Sequence, residues 1–283
     1  MSLITPKVSV LTPIYNTNPE HLHVCIESIL NQTFTDFEFL ILNDSPDNKE
    51  LDEIVKSYTD KRIKYIKNQK NMGISASRNK LLDMARGEYI AIFDHDDISM
   101  PDRLEREVDF LDKNPGVGVV SGLIQLFGEK DEVWKQPEYD IDIKIAMTEN
   151  CVIAHTASML RRNILVQNNI RYEDYYTPAE DYRLFARLME YTHFYNLQNV
   201  LVKYRWFNEN TSNVQKKRML QMHDEIQLDL VNKFPEYRRV WLRSVSRQTV
   251  FKVMLFDFIP LIKIRRQWVY LFGIIPLLKI KWS

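Results

Sequence analysis

Along the first 126 residues the hydrophobic positions switch repeatedly between two periods. Lys7 to Thr12 is a β-branched run ending at Pro13, whereas Leu22, Cys25, Ile26 and Ile29 fall at helical spacing between Pro19 and Leu30. Phe37 to Leu42 is an almost continuously apolar run, the kind buried on both faces, and Leu51, Ile54, Val55 and Tyr58 then return to helical spacing. Arg62 to Ile66 reads as a third strand, Ile74 to Arg86 as a helix closed by Gly87, and Tyr89 to Phe93 as a fourth strand. A helix from Pro101 to Lys113 and strand-like sequence from Val117 to Phe127 follow. Such alternation predicts an α/β fold, a mostly parallel central sheet flanked by helices, with ligands bound outside the carboxyl ends of the strands.

After about residue 135 the alternation lapses. Tyr182, Phe185, Ala186 and Met189 mark a helix beginning near Ala179, and Thr192 to Arg205 is strand-like. Val214 to Asn232 and Glu236 to Phe256 read as helices of a C-terminal extension. The expected boundary divides 1–213 from 214–283.

Composition narrows the class. At 45% hydrophobic and 27% charged, with 7 Gly and 11 Pro, the 283 residues describe an ordered globular chain. Cys25 and Cys151 stand far apart without metal-ligand spacing, which argues against a disulfide framework or structural zinc and fits a reducing compartment. The N-terminus lacks a charged segment followed by an apolar one, and no stretch reaches 18 uninterrupted apolar residues, so neither a secretory signal nor a membrane span is expected. Lys+Arg equals Asp+Glu at 38 each, yet residues 214–283 carry 14 bases against 5 acids, a net +9 that leaves −9 on the rest. Nucleic acid is not an expected partner.

The chemistry should sit at the strand ends, which read Thr12-Pro13-Ile14-Tyr15-Asn16, Asn43-Asp44-Ser45, Asn68 to Gly73, and Asp94-His95-Asp96-Asp97. Two carboxylates at i and i+2 past a buried strand can present oxygens to one hard divalent cation, Mg²⁺ or Mn²⁺, suited to a diphosphate; they are also ordinary turn and N-cap acids. Asp44 could accept from a base imide or a ribose hydroxyl, or cap the helix at Lys49. Asn71-Met72-Gly73 opens a helix whose free amides favour an anion, and Arg78 adds a permanent cation. No GxGxxG, GxxxxGK[ST] or HExxH occurs, which removes most support for hydride transfer and phosphate-loop chemistry. Glu180-Asp181 begins a helix; such acids often complement its dipole, but displacement by a hydroxyl also needs a base that is not a metal ligand.

Val8 to Asn16, Asn43-Asp44-Ser45, Asn71-Met72-Gly73 through Arg78-Asn79, Asp94-His95-Asp96-Asp97 and Glu180-Asp181 together resemble, in order and rough spacing, the family 2 glycosyltransferases with the glycosyltransferase-A fold. The likeness spans about residues 5–215. It implies a nucleotide-sugar half over 1–126 and an acceptor half over 127–213. Thr12, Pro13 and Tyr15 would line the nucleotide pocket, Asp44 would hold the base, and Asn71, Gly73 and Arg78 would border the nucleotide. Asp94, His95 and Asp96 would face the diphosphate, with Asp96 and then Asp94 as ligands of Mn²⁺ or Mg²⁺. Asp181 would be the general base of an inverting transfer, with Glu180 the runner-up. His155 falls where such proteins build the acceptor side, although a lone His among apolar residues is more often a core or turn residue. Two departures stand out: the second turn lacks the glycine of the usual Asp-Asp-Gly-Ser, and the processive Gln-x-x-Arg-Trp is absent, which favours addition of a single sugar.

Residues 258–283 carry five bases and no acid among Trp268, Tyr270, Phe272 and Trp282, a composition that can lie at an anionic membrane surface or dock as a buried helix. The resemblance extends to enzymes of bacterial lipooligosaccharide, O-antigen and capsule assembly. It implies a nucleotide sugar donor, UDP-linked, a glycan or lipid-linked glycan acceptor, and a cytoplasmic enzyme peripheral on the inner membrane face. A metal-dependent sugar nucleotidyltransferase and a non-catalytic nucleotide- or glycan-binding protein are the competing readings.

Overall fold

The computed structural model describes residues 5–207 and 214–246, together with backbone strands over 252–255, 259–265, 268–271 and 275–279. The chain divides into two units, Met1–Asp229 and Leu230–Ser283.

The first unit begins as the periodicity predicts: β1 (Val8–Ile14), α1 (Pro19–Leu30), β2 (Phe37–Asn43), α2 (Lys49–Ser57), β3 (Ile63–Lys67), α3 (Ile74–Met84) and β4 (Tyr89–Ile92). Asn18 starts α1, its side chain accepting from the Glu20 and His21 amides. β1, β2 and β4 are buried along their whole length, and residue alternation sends their side chains to two different helix layers. Val8, Val10, Phe37, Phe39, Ile41 and Tyr89 share a core with α1 and α2. On the opposite face, α3 packs on β1 and β2 and contributes the buried Leu81 and Leu82.

Parallel pairing runs β3-β2-β1-β4. Ile14 pairs with Asn43 and Asn43 with Lys67, so the ends of β1, β2 and β3 are level. Leu11 pairs with Ile92, which places the end of β4 beside the last turn of β1. The chain leaves β1 towards β2 on one side while β4 lies on the other; this reversal opens a crevice above the strand ends.

The rest of the sheet is mixed. After β5 (Ile98–Ser99) and α4 (Arg103–Lys113) come β6 (Val117–Gly128), β7 (Glu132–Trp134), α5 (Asp140–Met147), β8 (Met159–Arg161), α6 (Arg162–Gln167), α7 (Glu180–Leu188) and β9 (His193–Trp206). The three-residue β8 inserts antiparallel between β4 and β6, so Met159 pairs with both Ala91 and Val120. β9 runs parallel to β6, and β5 pairs antiparallel with β9 at the edge. Continuous parallel pairing is therefore confined to the first four strands, with β6 and β9 a separate parallel pair beyond the antiparallel β8. A run as short as β8 carries no periodicity to read.

α8 (Lys216–Lys233) and α9 (Pro235–Ser246) open the extension as helices, as expected. The helix read as far as Phe256 is described to Ser246, and within its expected span residues 252–255 are strand instead, the first of four antiparallel strands: β10 (Lys252–Leu255), β11 (Ile259–Arg265), β12 (Trp268–Leu271) and β13 (Ile275–Lys279). The docking helix read for the tail is not formed over these residues; their backbone is a strand meander. Ile262 and Ile264, two apart on either side of Lys263, suit a strand, and prolines at 260 and 276 disfavour a helix interior. Phe272 and Trp282 lie outside the described residues.

Candidate active site

At the end of β1, Thr12 and Pro13 lie within the buried strand, and the Thr12 hydroxyl donates to the Phe93 carbonyl at 2.9 Å. Both were expected to line a pocket; the structure uses Thr12 to tie β1 to the end of β4. Tyr15 is 51% exposed and stands at the rim. Asn16 adopts a positive φ of 46°, and its amide donates to Ser45 Oγ at 2.7 Å, joining the first two strand-end turns.

Asp44 is buried and does not cap α2, whose N-cap is Asn48. Its carboxylate accepts from Asn68 Nδ2 at 2.6 Å and from the amides of Met72 and Gly73, both at 2.9 Å. The absent glycine of the second turn therefore does not displace the acid; Asp44 organises the loop leading to α3. Gly73 has φ +84°, a left-handed value that a side chain would strain, and Asn71 Oδ1 accepts from its amide at 3.0 Å. Asn71 and Gly73 thus belong to one loop held by Asp44.

The expected cation Arg78 is already committed. Its guanidinium donates through Nη1 to Glu180 Oε1 at 2.7 Å and through Nη2 to Asp94 Oδ1 at 3.0 Å. Carboxylates 86 residues apart in the chain thereby meet across one side chain. Burial alone would push the Asp94 carboxyl up; Arg78, helped by His155, overcomes it and holds Asp94 well below the usual carboxylate range. Burial pushes Glu180 up, with Arg78 opposing and Asp181 adding to the rise. Asp181, next in α7, is half-buried, and its Oδ1 accepts from the Tyr182 amide.

His155 is 8% exposed. Its Nε2 hydrogen-bonds the Tyr172 hydroxyl at 2.9 Å and its Nδ1 lies 3.9 Å from Asp94 Oδ2, with Phe185 edge-on to the ring. This is the environment of a residue that supports Asp94 from beneath, so the acceptor role expected of His155 gives way to the core reading. His95 is half-buried and its Nδ1 has no hydrogen-bond partner among the described residues.

Asp97 and Arg205 complete the turn. Asp97 is fully buried; its Oδ1 accepts from the Arg205 amide at 2.9 Å, and burial with Asp96 and Asp94 nearby raises its pKa well above the ordinary value. Arg205 Nε donates to the Asp96 carbonyl at 2.8 Å. β9 therefore fixes the backbone on which Asp96 stands. The polar quartet hinted at Asp97, and Arg205 could be read only as a cation for the diphosphate, a part its contacts with Asp96 and Asp97 replace.

Asp96 fits a cation ligand: it is half-buried at a strand end, and its carboxylate makes no hydrogen bond or ion pair among the described residues. No group of three or more His, Cys, Asp or Glu among the described residues is arranged to hold a metal. That donor set matches Mg²⁺ or Mn²⁺, which are commonly held by one or two carboxylates with substrate phosphates and water completing the shell.

The sequence profile described as Glycosyl transferase family 2 matches residues 9–168. An uncharacterized glycosyltransferase of Methanocaldococcus jannaschii is 35% identical over 223 residues, 76% of each chain. The O-antigen biosynthesis glycosyltransferase WbnJ of Escherichia coli is 30% identical over 219 residues, 75% of this chain and 84% of that one. Among solved structures, residues 1–349 of S. aureus TarS in complex with UDP-GlcNAc superpose with a TM-score of 0.69 at 18% identity, covering 85% of this chain and 72% of that one. The mannosyltransferase PcManGT of Pyrobaculum calidifontis, in complex with GDP-Man and Mn²⁺, gives 0.59 at 18%, covering 78% and 64%.

Proposed function

Because the chain belongs to the family 2 glycosyltransferases, we propose that it moves one sugar, with inversion, from a nucleotide diphosphate sugar, UDP-linked, to a hydroxyl of a surface glycan. The observation that carries this reading is the Arg78 bridge, which sets the strand-end acids one guanidinium away from the carboxylate pair opening α7. Nucleotide sugars in the TarS and PcManGT complexes, and the O-antigen role in WbnJ's name, support the substrate class.

Asp96, with Asp94 beside it, would hold Mn²⁺ or Mg²⁺, which when bound neutralises charge growing on the leaving diphosphate. Tyr15 offers a ring at the rim, and the loop ordered by Asp44 presents the start of α3 to the nucleotide. Asp181 takes the proton of the acceptor hydroxyl as its oxygen bonds to the anomeric carbon; the bond from that carbon to the phosphate oxygen breaks, and the nucleoside diphosphate departs. Glu180 is held by Arg78 and is the poorer base.

No helix among the described residues is long and apolar enough to cross a membrane. The +9 charge of residues 214–283 suits an anionic membrane surface, where a lipid-linked acceptor would be reached from the cytoplasmic side.

Product analysis tests the reading. Incubation of UDP-sugars with Mn²⁺ should release UDP, and Asp96→Ala should abolish Mn²⁺-dependent UDP binding. Pyrophosphate from a nucleoside triphosphate and a sugar phosphate would establish the nucleotidyltransferase alternative instead.

A further inference from the structure

Successive side chains on a helix point about 100° apart. At the start of α7, Glu180 turns to Arg78 and the strand-end acids, while Tyr182, next to Asp181, meets the ring of His223 of α8. α8 therefore packs on the first turn of α7, where Asp181 stands.

α8 is fixed there by ties on both sides of the carboxylate. Arg218 donates to the Thr177 carbonyl through Nε and to the Tyr175 carbonyl through Nη2, both at 2.8 Å. Beyond Asp181, Arg183 pairs with Asp229 at 2.7 Å, and Gln227 donates to the Glu149 carbonyl. Met222 and Ile226 are buried, so the helix is packed as well as tied. A planar guanidinium spanning two carbonyls constrains a turn more closely than one ammonium could.

His223 lies between these ties. Its ring meets Tyr182 edge to face, with centroids 5.0 Å apart. It is half-buried, and neither ring nitrogen has a hydrogen-bond partner among the described residues. Burial lowers its pKa despite Asp181, which keeps the imidazole neutral, with one donor and one acceptor. A half-buried polar ring held in place without a protein partner is completed by solvent or by a ligand, and a sugar hydroxyl matches both of its nitrogens.

We propose that α8 forms a wall of the acceptor subsite and that His223 hydrogen-bonds a hydroxyl of the acceptor glycan beside Asp181. This rests on glycosyl transfer with Asp181 as base.

The full chain, with UDP and Mn²⁺, is titrated with the methyl glycosides of glucose, galactose, N-acetylglucosamine, mannose and rhamnose while the imidazole resonance of His223, assigned by its loss in His223→Gln, is followed. At least one glycoside should shift that resonance. His223→Phe, which keeps the ring on Tyr182, should weaken binding of that glycoside about tenfold, and His223→Gln less than about threefold, as expected for one hydrogen bond; affinity for UDP should not move. No shift with any glycoside, or equal binding by wild type and His223→Phe, overturns the subsite. Glycoside binding through His223 in a protein that releases no nucleoside diphosphate from UDP- or GDP-sugars would instead leave the subsite standing and overturn the transfer reading.

Discussion

The two halves of the sheet supply the crevice in different ways. In the parallel half, β3-β2-β1-β4, each polar turn is the direct continuation of a buried strand, and level strand ends bring the turns together. In the mixed half, made of β8, β6, β9 and β5, function arrives through long side chains and single amides: Arg205 to Asp97, Arg78 to Glu180, Arg218 to Thr177. Backbone register positions the first half. Charge pairing positions the second, so single substitutions there should do more damage to catalysis.

The largest effect is expected at α7. Asp181→Asn should lower kcat by roughly 10²–10⁴-fold, the usual worth of a general base, with UDP affinity kept. Glu180→Gln should cost kcat less than tenfold, since that carboxylate faces Arg78. Measuring UDP release for both variants decides between adjacent acids; a larger loss in Glu180→Gln would reverse their roles.

Arg78→Met comes next. It strands Glu180 and Asp94 without their shared partner, and breaking a buried pair in this way costs about 3–5 kcal/mol. Urea unfolding should show that loss. A change below about 1 kcal/mol would mean that the two halves are not held together by this bridge. Asp44→Ala acts within the parallel half and removes three hydrogen bonds from one loop. About 1–3 kcal/mol of stability should go, with a raised KM for the donor and little change in kcat; an unchanged KM would separate this loop from the nucleotide.

The same contrast governs what could be read from the sequence. α1 was legible to the residue because Pro19 and the spacing of Leu22, Cys25, Ile26 and Ile29 act within the helix's own twelve residues. The strand-end acids were legible because each follows an apolar run. β8 was not, because its three residues become a strand only between β4 and β6. Nor could the sequence tell a free Arg78 from a committed one, or a surface His155 from a buried one: both depend on Tyr172 and α7, which approach through the fold. His223 has no local signal at all.

The smallest expected effect lies at the seam between the halves. Arg103 of α4 is fully buried and donates through Nη2 to the Ile92 carbonyl of β4 at 2.8 Å and to the Ser158 carbonyl, just before β8, at 3.3 Å, while its Nε meets Glu107 at 3.1 Å. Burial, only partly offset by Arg103, pushes the Glu107 carboxyl up to about 7. In the unfolded chain a glutamate ionises near about 4.3. Between those values the folded protein holds a proton that the unfolded chain has lost, so this group's contribution to stability is full below about pH 4.3 and falls as pH rises towards 7, by at most about 1.4 kcal/mol per pH unit. Glu107→Gln has nothing to titrate and keeps an acceptor for Arg103. At pH 4 its Tm should match wild type within about 2–4 °C, and its Tm should decline less than that of wild type on going from pH 4 to pH 7. Parallel declines in the two proteins would show that the seam's proton sits elsewhere, and that Arg103 joins the halves through its two carbonyl contacts alone.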